Sequence, residues 1–154
     1  MLTQTEKGQK FRELHGRDHA FIIPNPWDVG SARLLANLGF EALATTSAGY
    51  AFSAGQRDGR IGRDETIAHA TAIVSATDLP VSADLENGFG DTLEGIAETF
   101  KLGAKAGLVG GSIEDTFDHA DGSVYELGQA VDRVRAAAEV VHNLPFRFTL
   151  TARS

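Results

Sequence analysis

Three acidic side chains in this 154-residue chain stand at the ends of short apolar runs: Asp84 and Glu86 in LPVSADLE, and Glu114 in GLVGGSIE. A carboxylate beside an apolar run is costly to bury unless a cation or hydrogen-bond donors meet it. Asp84 and Glu86 are two positions apart, so on a strand both point to one face, where they repel each other unless a cation or proton lies between them. Three hard oxygen donors at neighbouring strand ends suit Mg2+ or Mn2+, with water completing the shell. Arg153 closes the run PFRFTLTAR, where a guanidinium could clamp a substrate carboxylate through paired N–H groups. Ser47 and Gly49, in TTSAGYA, would offer a hydroxyl and backbone N–H groups to a carboxylate or an enolate oxygen. Asp91 reads instead as a helix cap, with Glu94 at the capping-box offset. Asp58 falls in QRDGR, where Asp-Gly is a turn signal. His119 lies in the acidic stretch EDTFDHADGSVYE, placed like a lid over the strand ends. His69 and His142 fall on helical patterns and read as packing residues.

These residues need elements to hold them. Strand-like segments run over 20–25, 41–47, 79–86, 107–114 and 145–153. Helical patterns fill 27–39, 63–77, 91–104 and 126–143, and another helix covers about 3–15. Asp64 and Asp91 are expected to cap two of the helices, and the Gly-Phe and Gly-Ala steps at 39–40 and 103–104 to end two. The apolar stripe of the last helix is read as Val131, Val134, Ala138 and Val141. Strand and helix alternate with a period near 30 residues, which argues for parallel βα units, four of them plus a fifth strand. Either an open doubly wound sheet or part of a (β/α)8 barrel fits this pattern, and both place a ligand at the C-terminal ends of the strands. PNPWDVGS stands where a dinucleotide-binding sheet would carry a Gly-x-Gly-x-x-Gly loop, which weakens that reading. A barrel needs about 250 residues. Residues 1–154 therefore read as the N-terminal portion of a single barrel domain, about its first five strands.

Composition narrows the partners. Fourteen Lys and Arg against 21 Asp and Glu give a net charge of −7, a field that repels nucleic acid and anionic lipid. Without cysteine there are no disulfides, zinc-thiolate sites or thiol nucleophiles, which fits a cytoplasmic setting. No signal-peptide-like apolar region opens the chain, and no apolar run approaches the roughly 20 residues that span a bilayer.

The stretches NPWDVGSARLLANLGFEALATTSAG, QRDG, PVSADLENGFGD, GGSIED and LTAR, in this order and spacing, resemble the isocitrate lyase and phosphoenolpyruvate mutase superfamily. The resemblance covers nearly the whole chain and implies a (β/α)8 TIM barrel of the phosphoenolpyruvate-binding type. By motif, Asp84 matches the direct metal ligand, and Glu86 and Glu114 match acids that hold the metal largely through water. Ser47, Ala48 and Gly49 match the segment that binds the substrate carboxylate and enolate oxygen. Asp58 matches an acid on the loop beside the metal, and Arg153 the carboxylate-binding arginine. The implied activity is that of a Mg2+-dependent (or Mn2+-dependent) lyase on a small 2-oxo or 2-hydroxy carboxylic acid, cleaving a C–C bond through a metal-stabilised enolate. The implied assembly is a homo-oligomer, a dimer or tetramer. TFDHADGSVYE stands where the lyases carry a Lys-(Lys/Arg)-Cys-Gly-His loop, so the proton donor is left to His119 or Tyr125. Two alternatives go with that departure: a P–C bond enzyme of the phosphonomutase kind, and a non-catalytic metal-binding or oligomerisation homologue.

Overall fold

The computed structural model describes residues 2–118 and 122–154. Four parallel strands form the main sheet in chain order: β1 (Leu43–Ala44), β2 (Val81–Asp84), β3 (Gly110–Glu114) and β6 (Thr149–Arg153). The helices α2 (Val29–Asn37), α4 (Arg63–Ala76), α5 (Leu93–Lys105) and α6 (Leu127–His142) alternate with them. The order and direction match the βα pattern of the sequence. The segment at 20–25 is extended but carries no ladder, and is tied to β1 by the Ala44 N–H donating to the Pro24 carbonyl at 3.2 Å and by Asn25 Nδ2 to the Ala44 carbonyl at 3.0 Å. Pro24 has no N–H to donate, so a strand edge forms there only in part.

Alternation along the strands divides the two faces of the sheet. Val81, Ala83 and Ile113 turn to the helices and pack with Ile73, Ile96, Phe100 and Ala137 in the main core. Asp84 and Ser112, on the opposite face, line a cavity. The helix α1 (Gln4–His15), which starts with a capping box between Thr3 and Glu6, buries Phe11 and Leu14 against Ala42 and Val109. Ala42 and Val109 immediately precede β1 and β3, so α1 closes the N-terminal ends of the strands.

The local signals were partly misread in the sequence. The N-cap of α5 is Thr92, whose hydroxyl accepts from the Gly95 N–H at 3.1 Å, rather than Asp91. Gly62 caps α4 without a side-chain bond, and Asp64 falls inside its first turn, where its charge complements the helix dipole. Gly39, with φ +91°, does follow the end of α2, but Gly103 lies within α5, and the left-handed residue after that helix is Gly107, φ +96°. The buried side of α6 runs through Arg133, Ala137 and Val141; of the stripe read in the sequence, Val134 and Val141 pack on the main core, and Val131 is 45% exposed.

One helix and one two-stranded hairpin were not anticipated. Residues 41–47 do not run as one strand: β1 is only Leu43–Ala44, and α3 (Ser47–Ser53) begins at once, capped by Thr46, whose hydroxyl accepts from the Gly49 N–H. The stretch after β3 contains an antiparallel pair, β4 (Thr116–Asp118) and β5 (Ser123–Val124), where an irregular loop was expected.

Candidate active site

Asp84 is the last residue of β2, and its side chain is 15% exposed. Five donors surround its carboxylate. The Ser47 N–H and hydroxyl reach Oδ2 at 3.2 and 3.0 Å. The Glu86 N–H, the Ser112 hydroxyl and Arg153 Nη1 reach Oδ1 at 3.2, 3.4 and 3.4 Å. Its own N–H donates to the Thr45 hydroxyl at 3.0 Å. Register explains the convergence: Asp84 pairs with Ser112, and Glu114 with Arg153, across adjacent parallel strands. Arg153 therefore also meets Glu114, Nη1 to Oε2 at 3.0 Å. One half-exposed guanidinium thus lies between two carboxylates that are mostly withdrawn from water.

Beneath it is a cavity of about 340 Å3, lined among others by Asn25, Thr45, Asp84, Ser112, Thr151 and Arg153. The wall is polar on the strand side and offers hydroxyls, one carboxylate and one guanidinium. Such a wall can orient a small polar acid and stabilise charge that develops on its oxygens.

Glu86 does not share a strand face with Asp84. β2 ends at Asp84, and Glu86 has φ +48°, a left-handed conformation that breaks the two-residue alternation. Glu86 is nevertheless buried, at 6% exposure, and its backbone binds both other acids: its N–H donates to Asp84 Oδ1, and its carbonyl accepts from the Glu114 N–H at 2.9 Å. Gly88 (φ +89°) and Phe89 (φ +53°) continue the left-handed path. Two non-glycine residues in this region within four positions amount to stored backbone strain, of the kind that clusters at functional sites.

Ser47, Ala48 and Gly49 do not end a strand; they form the first turn of α3. Ser47 is aimed at Asp84. Gly49 is buried against the Trp27 indole, and a Cβ there would run into the ring, so its glycine is required for packing. Asp58 sits in the turn 57–60, accepts from the Gly59 N–H at 3.1 Å, and is absent from the cavity wall. His119 lies outside the described residues. The Tyr125 hydroxyl accepts from Asn87 Nδ2 at 3.1 Å. His69 packs as its helical position suggested: its ring stacks on Tyr50 at 3.9 Å, and Nε2 meets the Trp27 carbonyl at 3.0 Å. Burial holds the His69 imidazole below its ordinary pKa, against the opposing pull of the Trp27 carbonyl and Asp28.

Sequence reasoning missed Thr45, Ser112 and Arg133. Ser112 was within reach, because it lies two residues before Glu114 and so shares its face of β3. Arg133 gave no signal, since an arginine on an amphipathic helix reads as solvated.

Among the described residues no three His, Cys, Asp or Glu side chains are gathered as a metal-holding set, so the acids do not form a closed cage. Asp84 and Glu114, already meeting one cation, fit a different kind of site. Mg2+ or Mn2+ takes one or two carboxylates and keeps most of its water.

The model of the phosphoenolpyruvate phosphomutase family matches residues 11–154. An uncharacterised protein of Mycobacterium tuberculosis is 35% identical over 132 residues, which cover 85% of this chain and 46% of that protein. The 2,3-dimethylmalate lyase of Eubacterium barkeri is 35% identical over 108 residues, 69% of this chain and 37% of the lyase. A crystal structure of a Burkholderia cenocepacia J2315 protein, provisionally assigned as a lyase/mutase, superposes with a TM-score of 0.94 at 59% identity, over 97% of this chain and 54% of that one. The chain thus spans about half the length of the relatives it matches. Its parallel sheet is the corresponding part of their (β/α)8 barrel, with the acids at the strand ends. On the family match over nearly its whole length, this chain belongs to the phosphoenolpyruvate mutase/isocitrate lyase superfamily of lyases and mutases.

Proposed function

We propose that the protein containing this chain is a divalent-metal-dependent lyase that cleaves a C–C bond in a small 2-oxo or 2-hydroxy carboxylic acid. The observation that carries the reading is the convergence of Asp84, Glu114 and Arg153 at the C-terminal ends of three adjacent parallel strands, above a polar cavity. Asp84 and Glu114 are the residues that would hold Mg2+ or Mn2+, with Glu86 supporting them through its backbone. When bound, the metal would supply Lewis-acid stabilisation to an oxyanion next to the bond that breaks. Arg153 is suited to bind the substrate carboxylate, and the Ser47 hydroxyl and N–H to donate toward the oxygen on which enolate charge develops. The 2,3-dimethylmalate lyase relative acts on an acid of this class. His119 and Tyr125 stay as candidates for the proton donor. Asp58 is proposed to act only if the 57–60 turn folds over the site.

The full-length protein should release a 2-oxo acid or its partner fragment from at least one member of a panel of C4–C7 2-hydroxy and 2-oxo acids, and EDTA should abolish the release. Asp84→Asn should lower kcat by about 100- to 1,000-fold, the range for loss of a group that stabilises developing charge. No turnover with any acid of the panel in the presence of Mg2+ would remove the reading. The matching family carries the name of a phosphomutase, so P–C bond chemistry is the second reading, and a phosphonate included in the same panel separates the two. A cytoplasmic homo-oligomer is the proposed setting, to be checked by sedimentation of the full-length protein.

A further inference from the structure

Arg133 is the one fully charged side chain of α6 that faces inward, at 3% exposure. Burying a guanidinium is costly unless acceptors meet it. Here Nη2 donates to two backbone carbonyls of the loop after β2, Asn87 at 2.6 Å and Gly90 at 2.8 Å. The guanidinium also lies over the Tyr125 ring, 4.1 Å from its centre, and the Tyr125 hydroxyl takes the Asn87 side-chain amide. Tyr125 is in turn anchored at the root of the β4–β5 hairpin, its N–H donating to the Asp115 carbonyl at 2.9 Å. Two elements distant in sequence therefore grip the short stretch 87–90. That stretch is continuous with Glu86, whose N–H donates to the Asp84 carboxylate and whose carbonyl accepts from Glu114. Among the described residues no hydrogen bond joins Arg133 to Asp84, Glu114 or Arg153, yet the chain of bonds from it ends on two acids of the site.

We propose that Arg133 and Tyr125 are positioning residues for the acidic site: they hold residues 86–90 in a path, left-handed at Glu86, Gly88 and Phe89, that sets the orientation of Asp84 and its spacing from Glu114. The strain explains the need for a clamp. Glu86 and Phe89 lie in a region that is costly for a non-glycine residue and is kept only where surrounding structure over-determines it. Arg133 Nη2 bonds two carbonyls at once while the planar guanidinium lies on the Tyr125 ring, and a lysine ammonium could keep the first contact but not the stacking. This inference rests on the proposed metal-binding role of Asp84.

The test uses the full-length protein, with Mn2+ alone as the probe. Mn2+ affinity is read from the free-ion magnetic resonance signal, and the mobility of the segment 84–90 from amide hydrogen exchange. Arg133→Met should speed exchange in 84–90 and weaken Mn2+ binding by about 10- to 100-fold, the usual effect of removing a group that orients a metal ligand. Arg133→Lys should recover part of both, and Tyr125→Phe, which keeps the ring and loses only the hydroxyl, should weaken Mn2+ a few-fold. If Arg133→Met does not fold, the Lys and Phe variants carry the test. Faster exchange with unchanged Mn2+ affinity, while Asp84→Asn loses the ion, would show that Arg133 is only structural and overturn the proposal. If the unmodified protein binds no Mn2+, or Asp84→Asn binds it equally well, the metal-site reading itself falls and takes this one with it.

Discussion

Arg153 meets two carboxylates with one nitrogen, so replacing it separates substrate binding from site assembly. Arg153→Lys keeps a positive charge near Asp84 and Glu114 but loses the planar fork that grips a carboxylate with two N–H groups. The expected result is a KM raised about 10-fold or more with a smaller change in kcat, the pattern of lost uniform binding. His69 makes a prediction of a different kind. Its folded-state pKa is depressed by burial, so the unfolded chain takes the proton more readily. Stability is full above the unfolded pKa of about 6.5 and declines as the pH falls through that value toward the folded one. His69→Gln should flatten the dependence of Tm on pH between about 7.5 and 5.5. At this scale Asp84, Glu114 and Arg153 were legible in the sequence because each ends a recognisable strand. Arg133 and Thr45 were not, because their meaning lies in a partner from another element.

At the scale of elements, the N-cap of α5 distinguishes two adjacent residues that look alike in sequence. Thr92→Ala should cost about 1 kcal/mol of stability, measured by urea unfolding, because the Gly95 N–H loses its acceptor. Asp91→Ala should cost little. The same loop holds a backbone contact that no periodicity shows: a Cβ on Gly90 would lie 2.9 Å from the Gly95 carbonyl carbon. Gly90→Ala should therefore destabilise the protein and loosen the turn between β2 and α5. The helices were legible to within a few residues because their apolar period agrees with the packing and Gly39 does follow the end of α2. β1 and α3 were not. The run EALATTS has the composition of a strand, yet Thr46 caps a helix, since its hydroxyl serves the Gly49 N–H and Ser47 gains the Asp84 carboxylate. A tertiary partner decided that boundary. The hairpin of β4 and β5 was missed because its strands are only two or three residues long, too short for an alternating pattern to register.

At the scale of the whole molecule, α1 covers the N-terminal ends of the strands and contributes Phe11 and His15 to a cavity whose other wall carries Asp84, Ser112 and Arg153. The superfamily assignment therefore agrees with where the charge is placed. The net charge of −7 does not draw an anionic acid to the protein, so Arg153 and a bound cation have to supply the local attraction. No helix among the described residues is long and apolar enough to cross a membrane. On the proposed function Asp84 would hold a divalent metal beside a carboxylate gripped by Arg153. The most direct measurement is a crystal structure of the full-length protein grown with Mn2+ and oxalate, a planar dicarboxylate that mimics the enolate of a 2-oxo acid. The expected result is an anomalous peak about 2.0–2.2 Å from an Asp84 carboxylate oxygen, with oxalate bridging the metal and Arg153. Oxalate bound elsewhere, or no metal at Asp84 in a crystal that contains Mn2+, would contradict it.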